Sequence, residues 1–326
     1  MKRKQSGSKI MMRLIKLVKP LAFFMVLAVI LGVTGFLCAI QITVLGSMTL
    51  LTAAGINGGL AIKTGCICII IFAVLRGFLH YGEQACNHYI AFKLLAIIRD
   101  KVFKSLRRLT PAKLEGKDKG NLISLITSDI ELLEVFYAHT ISPICIAFLT
   151  SLVMLIFIGR YSSWLMLVAL AAYITVGIII PLASSKFNKN IGMTYRENSG
   201  ALSGYVLDSM RGLLESIRYN STDTRLNEMN EKTDELNSLQ KKLKKIEGHN
   251  ISITDISIIF FSITMLLVAI CLYQKGTIGF DGLIVSTVAM MSSFGPVAAL
   301  SNLAGNLTHT LASGERVLSI LDESPV

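Results

Sequence analysis

Four polar side chains, Arg76, His80, Gln84 and His88, recur every four residues, with Glu83 and Asn87 beside them. On an α-helix this spacing draws a single polar stripe down an otherwise apolar face. An ionisable group at bilayer depth costs about 2.5–3.5 kcal/mol even on the lenient insertion scale, so it faces protein or water. The stripe is therefore expected to line a central cavity. The plainer alternative is that Gln84, Asn87 and His88 simply leave the membrane at its inner edge. The sequence carries no G-x-x-x-x-G-K-[ST] loop, no Ser/His/Asp arrangement and no metal-ligand spacing. No catalytic residue and no metal ligand is expected, and the chain on its own is not expected to hydrolyse ATP.

The elements that position the stripe follow from composition. Hydrophobic residues make up 52% of the 326 and charged residues 16%, with a mean hydropathy of +0.61. Apolar stretches of membrane-crossing length recur, which places the chain among integral membrane proteins. The net charge of +11 belongs to basic residues that cluster beside apolar spans without interleaved stacking aromatics, so membrane topology explains it and nucleic acid is not an expected partner. Six cysteines (Cys38, Cys66, Cys68, Cys86, Cys145 and Cys271) lie in or beside apolar segments. They read as buried small hydrophobes.

Six spans are expected near 21–50, 61–82, 135–159, 164–185, 251–273 and 281–305. The basic start followed by an apolar run looks like a signal peptide, but the run continues from Leu21 to about Leu51 without a small-residue cleavage site, so a retained first span is expected. Lysine and arginine number seven up to Lys19, nine in 93–119, eleven in 186–245 and one, Arg316, in the tail; the opposite side holds Lys63, Arg160 and Lys275. This asymmetry puts both termini in the cytoplasm.

The two long inner connections read as helical hairpins. Phe92, Leu95, Ile98, Val102 and Leu106 keep helical periodicity until Pro111, and the pattern resumes through Leu122, Ile126, Ile130 and Leu133. About 25 helical residues carry a chain roughly 37 Å beyond the bilayer. In the second connection a helix through Lys186–Ser199, a turn region around Gly200–Gly212 and a returning helix through Leu226–Ile246 are expected. Pro181 and the pair Gly295-Pro296 fall within spans and are candidate hinges, or plain packing features.

On particular residues the chain resembles a type I ABC exporter membrane domain. Gly120-Asn-Leu-Ile-Ser-Leu-Ile-Thr-Ser-Asp129-Ile is similar to a G-x-L-[IL]-S-R-x-x-x-D-[VI] stretch, departing at Leu125, where the family has arginine. Leu207-Asp-Ser-Met-Arg-Gly-Leu-Leu-Glu215-Ser-Ile-Arg218 is similar to the family's second inner loop. Ala312-Ser-Gly-Glu-Arg316-Val-Leu-Ser-Ile-Leu-Asp322-Glu-Ser-Pro325 resembles the link into a nucleotide-binding domain. Tyr81 to Leu95 and Asp129 to Pro143 further resemble CydC-type subunits, which pair with a CydD-type partner in the exporter needed for cytochrome bd assembly.

The resemblance implies an all-α fold of six transmembrane helices with two long cytoplasmic hairpins. It implies a cytoplasmic segment at 1–20, a transmembrane domain at 21–311 and a linker at 312–326 toward an ATP-binding domain absent from this sequence. Coupling to that domain would run through Leu114, Glu115, Lys117 and Gly120 at the first tip and Tyr205, Asp208, Arg211 and Gly212 at the second. The family's histidine at the position of His88 is associated with haem ligation, although Gln84 replaces an arginine of that motif. The implied function is ATP-driven export of a small solute (thiol, amino acid or haem-related) across the plasma membrane, with the nucleotide-binding domains, the lipid bilayer and a CydD-like subunit or a second copy as partners. Export of lipids or drugs is the alternative within the class. A non-transporting haem-binding or respiratory-assembly module is the alternative outside it.

Overall fold

The computed structural model describes residues 7–56, 60–109 and 125–323. Among them every regular element is helical. A short α1 (Gly7–Leu17) leads through Pro20 into α2 (Ala22–Ala53), and α3 (Ile62–Leu109) returns antiparallel to it. After a π-helical turn at Leu125–Asp129 come α4 (Ile130–Phe136), a second such turn at Tyr137–Ile141, and α5 (Ser142–Gly159). α6 (Ser163–Ile174) passes through a third π-turn, Thr175–Ile179, into α7 (Ile180–Arg211). The six-residue α8 (Leu213–Arg218), α9 (Thr222–Gln274) and α10 (Phe280–Leu321) complete the chain.

Six of these helical stretches are long and apolar enough to cross a membrane. Spanning segments must satisfy their own backbone, which an α-helix does. The hydroxyls in the first span follow the same rule. Thr34, Thr43, Ser47 and Thr49 each donate to a carbonyl three or four residues back in α2. Small residues then let the helices approach closely. Gly65 of α3 sits directly against Thr49 of α2, and Gly32 of α2 sits against Ile146 of α5.

Two apolar cores result. One, within the spans, gathers Ile40, Met154, Ile158, Leu165, Ala169, Met265, Ala289 and Phe294. The other lies toward the end of the bundle that carries both termini and packs Leu14, Leu94, Ile98, Val102, Ile130, Leu133 and Val317. Polar contacts staple this second core. Tyr137 donates to the Leu14 carbonyl at 2.8 Å, Ser105 to the Ile320 carbonyl at 3.0 Å, and Arg13 makes a bidentate pair with Asp322 at 2.5 and 2.6 Å.

The third span, Ser142–Gly159 by length and composition, continues a helical run that begins at Leu125 and passes through the π-turn at Tyr137–Ile141. Two expectations need correction. No turn region occupies Gly200–Gly212: α7 runs unbroken through Gly200 and Gly204 to Arg211. Both glycines have open space around them, so they carry no turn and cost only helix propensity. Of the cysteines, Cys38 is buried, whereas Cys66, Cys145 and Cys271 are exposed on the bundle surface and Cys68 and Cys86 are half-buried. A thiol on a membrane-facing surface is shielded from water without protein around it.

Candidate translocation site and coupling elements

α3 carries the polar stripe as one continuous helix, and the six residues divide between two sides. Arg76, His80 and His88 are exposed and Gln84 is half-buried, so the four-residue repeat faces away from the bundle of this chain. Glu83 and Asn87 turn inward and are buried. Glu83 lies at the α2–α5 contact, where a Cβ on Gly32 would come within 3.3 Å of its Cδ. Its Oε1 accepts from Asn87 Nδ2 at 3.3 Å and its Oε2 meets His80 Nδ1 at 3.2 Å. The His80 side chain is 63% exposed and that of Glu83 8%, so this contact joins the outward face to the bundle interior.

The His88 ring stacks on Phe92 at 6.1 Å between centroids. No group of three His, Cys, Asp or Glu side chains able to hold a metal ion occurs among the described residues. His88, Tyr89 and Phe92 stand on an open helical surface, not in a walled pocket. The described residues of this chain alone supply no enclosing wall for haem around His88.

Of the residues expected to couple, Leu114, Glu115, Lys117 and Gly120 lie outside the described residues. Tyr205 is half-buried and ties α7 to α9: its hydroxyl donates to Glu228 Oε2 at 2.6 Å, and Arg225 and Lys232 stand 5.9 and 5.5 Å from its ring centroid. The Glu228 carboxylate beside it holds the Tyr205 phenol above its ordinary pKa. Asp208 and Arg211 are exposed at the end of α7, and Gly212 caps that helix by donating to the Asp208 carbonyl at 2.9 Å. The chain reverses beyond Gly212, through α8 and Asn220, whose φ of 51° suits the left-handed region that asparagine tolerates.

Sequence reasoning missed α8 itself. Leu213, Leu214 and Ile217 on this six-residue helix and Tyr219 just after it are 54, 64, 61 and 82% exposed, a largely exposed apolar tip. The signal was present in the run Leu-Leu-Glu-Ser-Ile-Arg-Tyr between Gly212 and Asn220.

The hinge candidates converge on one region. Pro181 occupies the first turn of α7, just after the π-turn Thr175–Ile179, and Pro296 lies inside α10. Gly177, in the π-turn, packs so tightly on α10 that a Cβ there would lie 2.8 Å from Val297 Cγ1. Gly295 faces Phe36 of α2 with ordinary clearance, 3.5 Å from an added Cβ. A cavity of about 450 Å³ opens beside this crossing, lined by Ile144, Phe148, Tyr173, Gly177, Pro181 and Val297 among others.

Comparison with known proteins agrees with this architecture. Residues 21–297 match the family model described as the ABC transporter transmembrane region. A probable ABC transporter ATP-binding/permease protein of Haemophilus influenzae is 45% identical over 322 residues, 99% of this chain and 58% of the relative. The glutathione/L-cysteine transport system ATP-binding/permease protein CydC of the same organism is 21% identical, covering 78% of this chain and 44% of its own length. An ATP-dependent lipid A-core flippase 1 of Colwellia psychrerythraea is 23% identical, covering 95% and 51%. The chain spans about half the length of the curated relatives it matches. A membrane protein with six apolar spans, it belongs to the ABC transporter transmembrane region family.

Proposed function

We propose that this chain is the membrane half of a type I ABC exporter, with residues 21–311 as its transmembrane domain and 312–326 as the link to a nucleotide-binding domain. The reading rests on one observation: Arg76 and His80 are exposed on the outward face of α3 inside its apolar stretch. Hydrocarbon would not tolerate a guanidinium there. A second membrane domain, either another copy or a CydD-like subunit, would cover that face and enclose a polar cavity. Nucleotide binding would close the ATP-binding domains against the α8 tip and draw α7 and α9 with it, changing access to the cavity. The bias of lysine and arginine toward the inner connections supports a reading with both termini in the cytoplasm.

For substrate, the polar stripe with Arg76 in it favours a small polar or anionic solute of the thiol or amino-acid kind. The apolar cavity beside Pro181 supports a second reading, export of a lipid or drug-like amphiphile. Relatives named for each kind of cargo match at similar identity. The test is ATP-driven transport by the intact polypeptide in proteoliposomes, with labelled cysteine and glutathione in one arm and a fluorescent lipid in the other. Arg76→Ala should reduce transport of the polar solute at least tenfold and leave the fold intact. Absence of ATP-dependent movement in either arm would favour the non-transporting module.

A further inference from the structure

At the end of the bundle that carries both termini, α1, the far half of α3 and the end of α10 border an open cleft of about 700 Å³. Its walls hold six cations: Arg13 and Lys16 from α1, and Lys101, Lys104, Arg107 and Arg108 from α3. Leu17, Leu318 and Leu321 form an apolar floor. Two carboxylates balance part of this charge, Asp322 on Arg13 and Asp100 on Lys104. Among the described residues no carboxylate lies within ion-pairing distance of Lys16, Lys101, Arg107 or Arg108.

The cations reach the cleft from independent segments, so their convergence is a product of the fold. α1 is held by Leu14 in the second core and by the Arg13–Asp322 pair. The cationic face of α3 lies opposite the apolar one that carries Ile98, Val102 and Leu106. The two carboxylates offset the six cations only in part, so the cleft keeps a positive field that attracts a multiply charged anion. Arginine forks and lysine ammonium groups together are the usual receptors for phosphate oxygens. The cleft is separate from the stripe on α3, and its occupancy does not depend on what the exporter carries.

We infer that this cleft binds a multiply charged phosphate group. Two sources offer that chemistry. One is the headgroup of an anionic phospholipid, reached because α1 leads through Pro20 straight into the first membrane span, with the leucine floor receiving the adjoining apolar part. The other is a soluble phosphate ester or pyrophosphate.

The experiment uses the intact polypeptide in nanodiscs and detergent, wild type against Lys101→Gln/Lys104→Gln/Arg108→Gln. One arm measures cardiolipin binding by exchange from phosphatidylcholine nanodiscs containing it. The other titrates pyrophosphate by calorimetry. A juxtamembrane cation contributes about fivefold in affinity, so the triple variant should bind about a hundredfold more weakly in the arm that reports the true source. Loss in the cardiolipin arm alone identifies the lipid, loss in the pyrophosphate arm alone the soluble ester, and loss in both an undiscriminating phosphate site. Lys101→Arg/Lys104→Arg should retain binding, which separates loss of charge from loss of fold. Lys241→Gln/Lys242→Gln/Lys245→Gln removes equal charge from exposed α9 and should change neither arm. If wild type and the first triple variant bind both probes equally, or if the α9 variant loses as much, the inference is wrong.

Discussion

Asp129 Oδ2 and Arg316 Nη1 stand 2.9 Å apart, joining the turn before α4 to the end of α10. Ser313 Oγ, one turn before Arg316, donates to Asp129 Oδ1 at 3.0 Å. The carboxylate side chain is 7% exposed and the guanidinium 45%, so the pair is half screened by solvent. Arg316→Ala leaves a buried carboxylate with less compensation, and after discounting for that exposure should destabilise by about 1–2 kcal/mol. Adding Asp129→Asn should recover part of the loss. Thermal unfolding in detergent measures both, and an Arg316→Ala midpoint matching wild type would show the pair to be energetically idle.

Glycines at helix contacts should respond to substitution according to the space around them. Gly65→Ala would drive a methyl into Thr49, and Gly32→Ala into Ile146 beside Glu83. Each should destabilise by about 1–3 kcal/mol, as overpacked cores do. Gly46 has nothing within 4 Å, and Gly46→Ala should be neutral or slightly stabilising through helix propensity. Comparing the three melting temperatures in one detergent distinguishes packing from a general intolerance of side chains in these spans.

The α8 tip should matter to coupling and not to folding. Leu214→Asp and Ile217→Asp alter mostly exposed side chains, so stability should stay within about 0.5 kcal/mol. In the intact transporter, substrate stimulation of ATPase activity should fall at least tenfold. Arg211→Glu should act in the same direction. Unchanged stimulation in all three would rule this tip out as the contact with the ATPase.

Gly177→Ala tests the crossing of α10 by the π-turn. Its methyl would lie 2.8 Å from Val297 Cγ1, a side-chain atom that must shift to make room. Turnover should slow several-fold, with substrate affinity at the α3 stripe unchanged. Spin labels on the α7 tip should report a narrower distance distribution as the crossing stiffens. Equal turnover with an unchanged distribution would mean that Gly177 serves packing alone.

The helices were legible because apolar runs of spanning length leave the backbone little alternative. The α3 stripe could be read as a register, since a four-residue repeat survives in any helix. Its division could not, because which side Glu83 takes depends on Gly32 and Ile146, far away in sequence. The second hairpin was misplaced because Gly200 and Gly204 were weighed as turn residues, although a glycine costs a long helix only about 1 kcal/mol. The π-turns left no compositional mark. Asp129 and Arg316 each stood in a recognisable motif, but nothing in either motif says that the two meet.

A pivot at the π-turn Thr175–Ile179, beside the proposed hinge residues, would set a gearing ratio. From Gly177 to Arg211 the chain runs as helix for about 50 Å at 1.5 Å per residue. A rotation of about ten degrees at that fulcrum sweeps the far end through roughly 9 Å, while atoms one turn from the pivot move by about 1 Å. Read in the other direction, a large displacement applied at α8 arrives beside Pro181 as a small, forceful one. That leverage suits shifting packed side chains around a 450 Å³ cavity without pulling the helices apart.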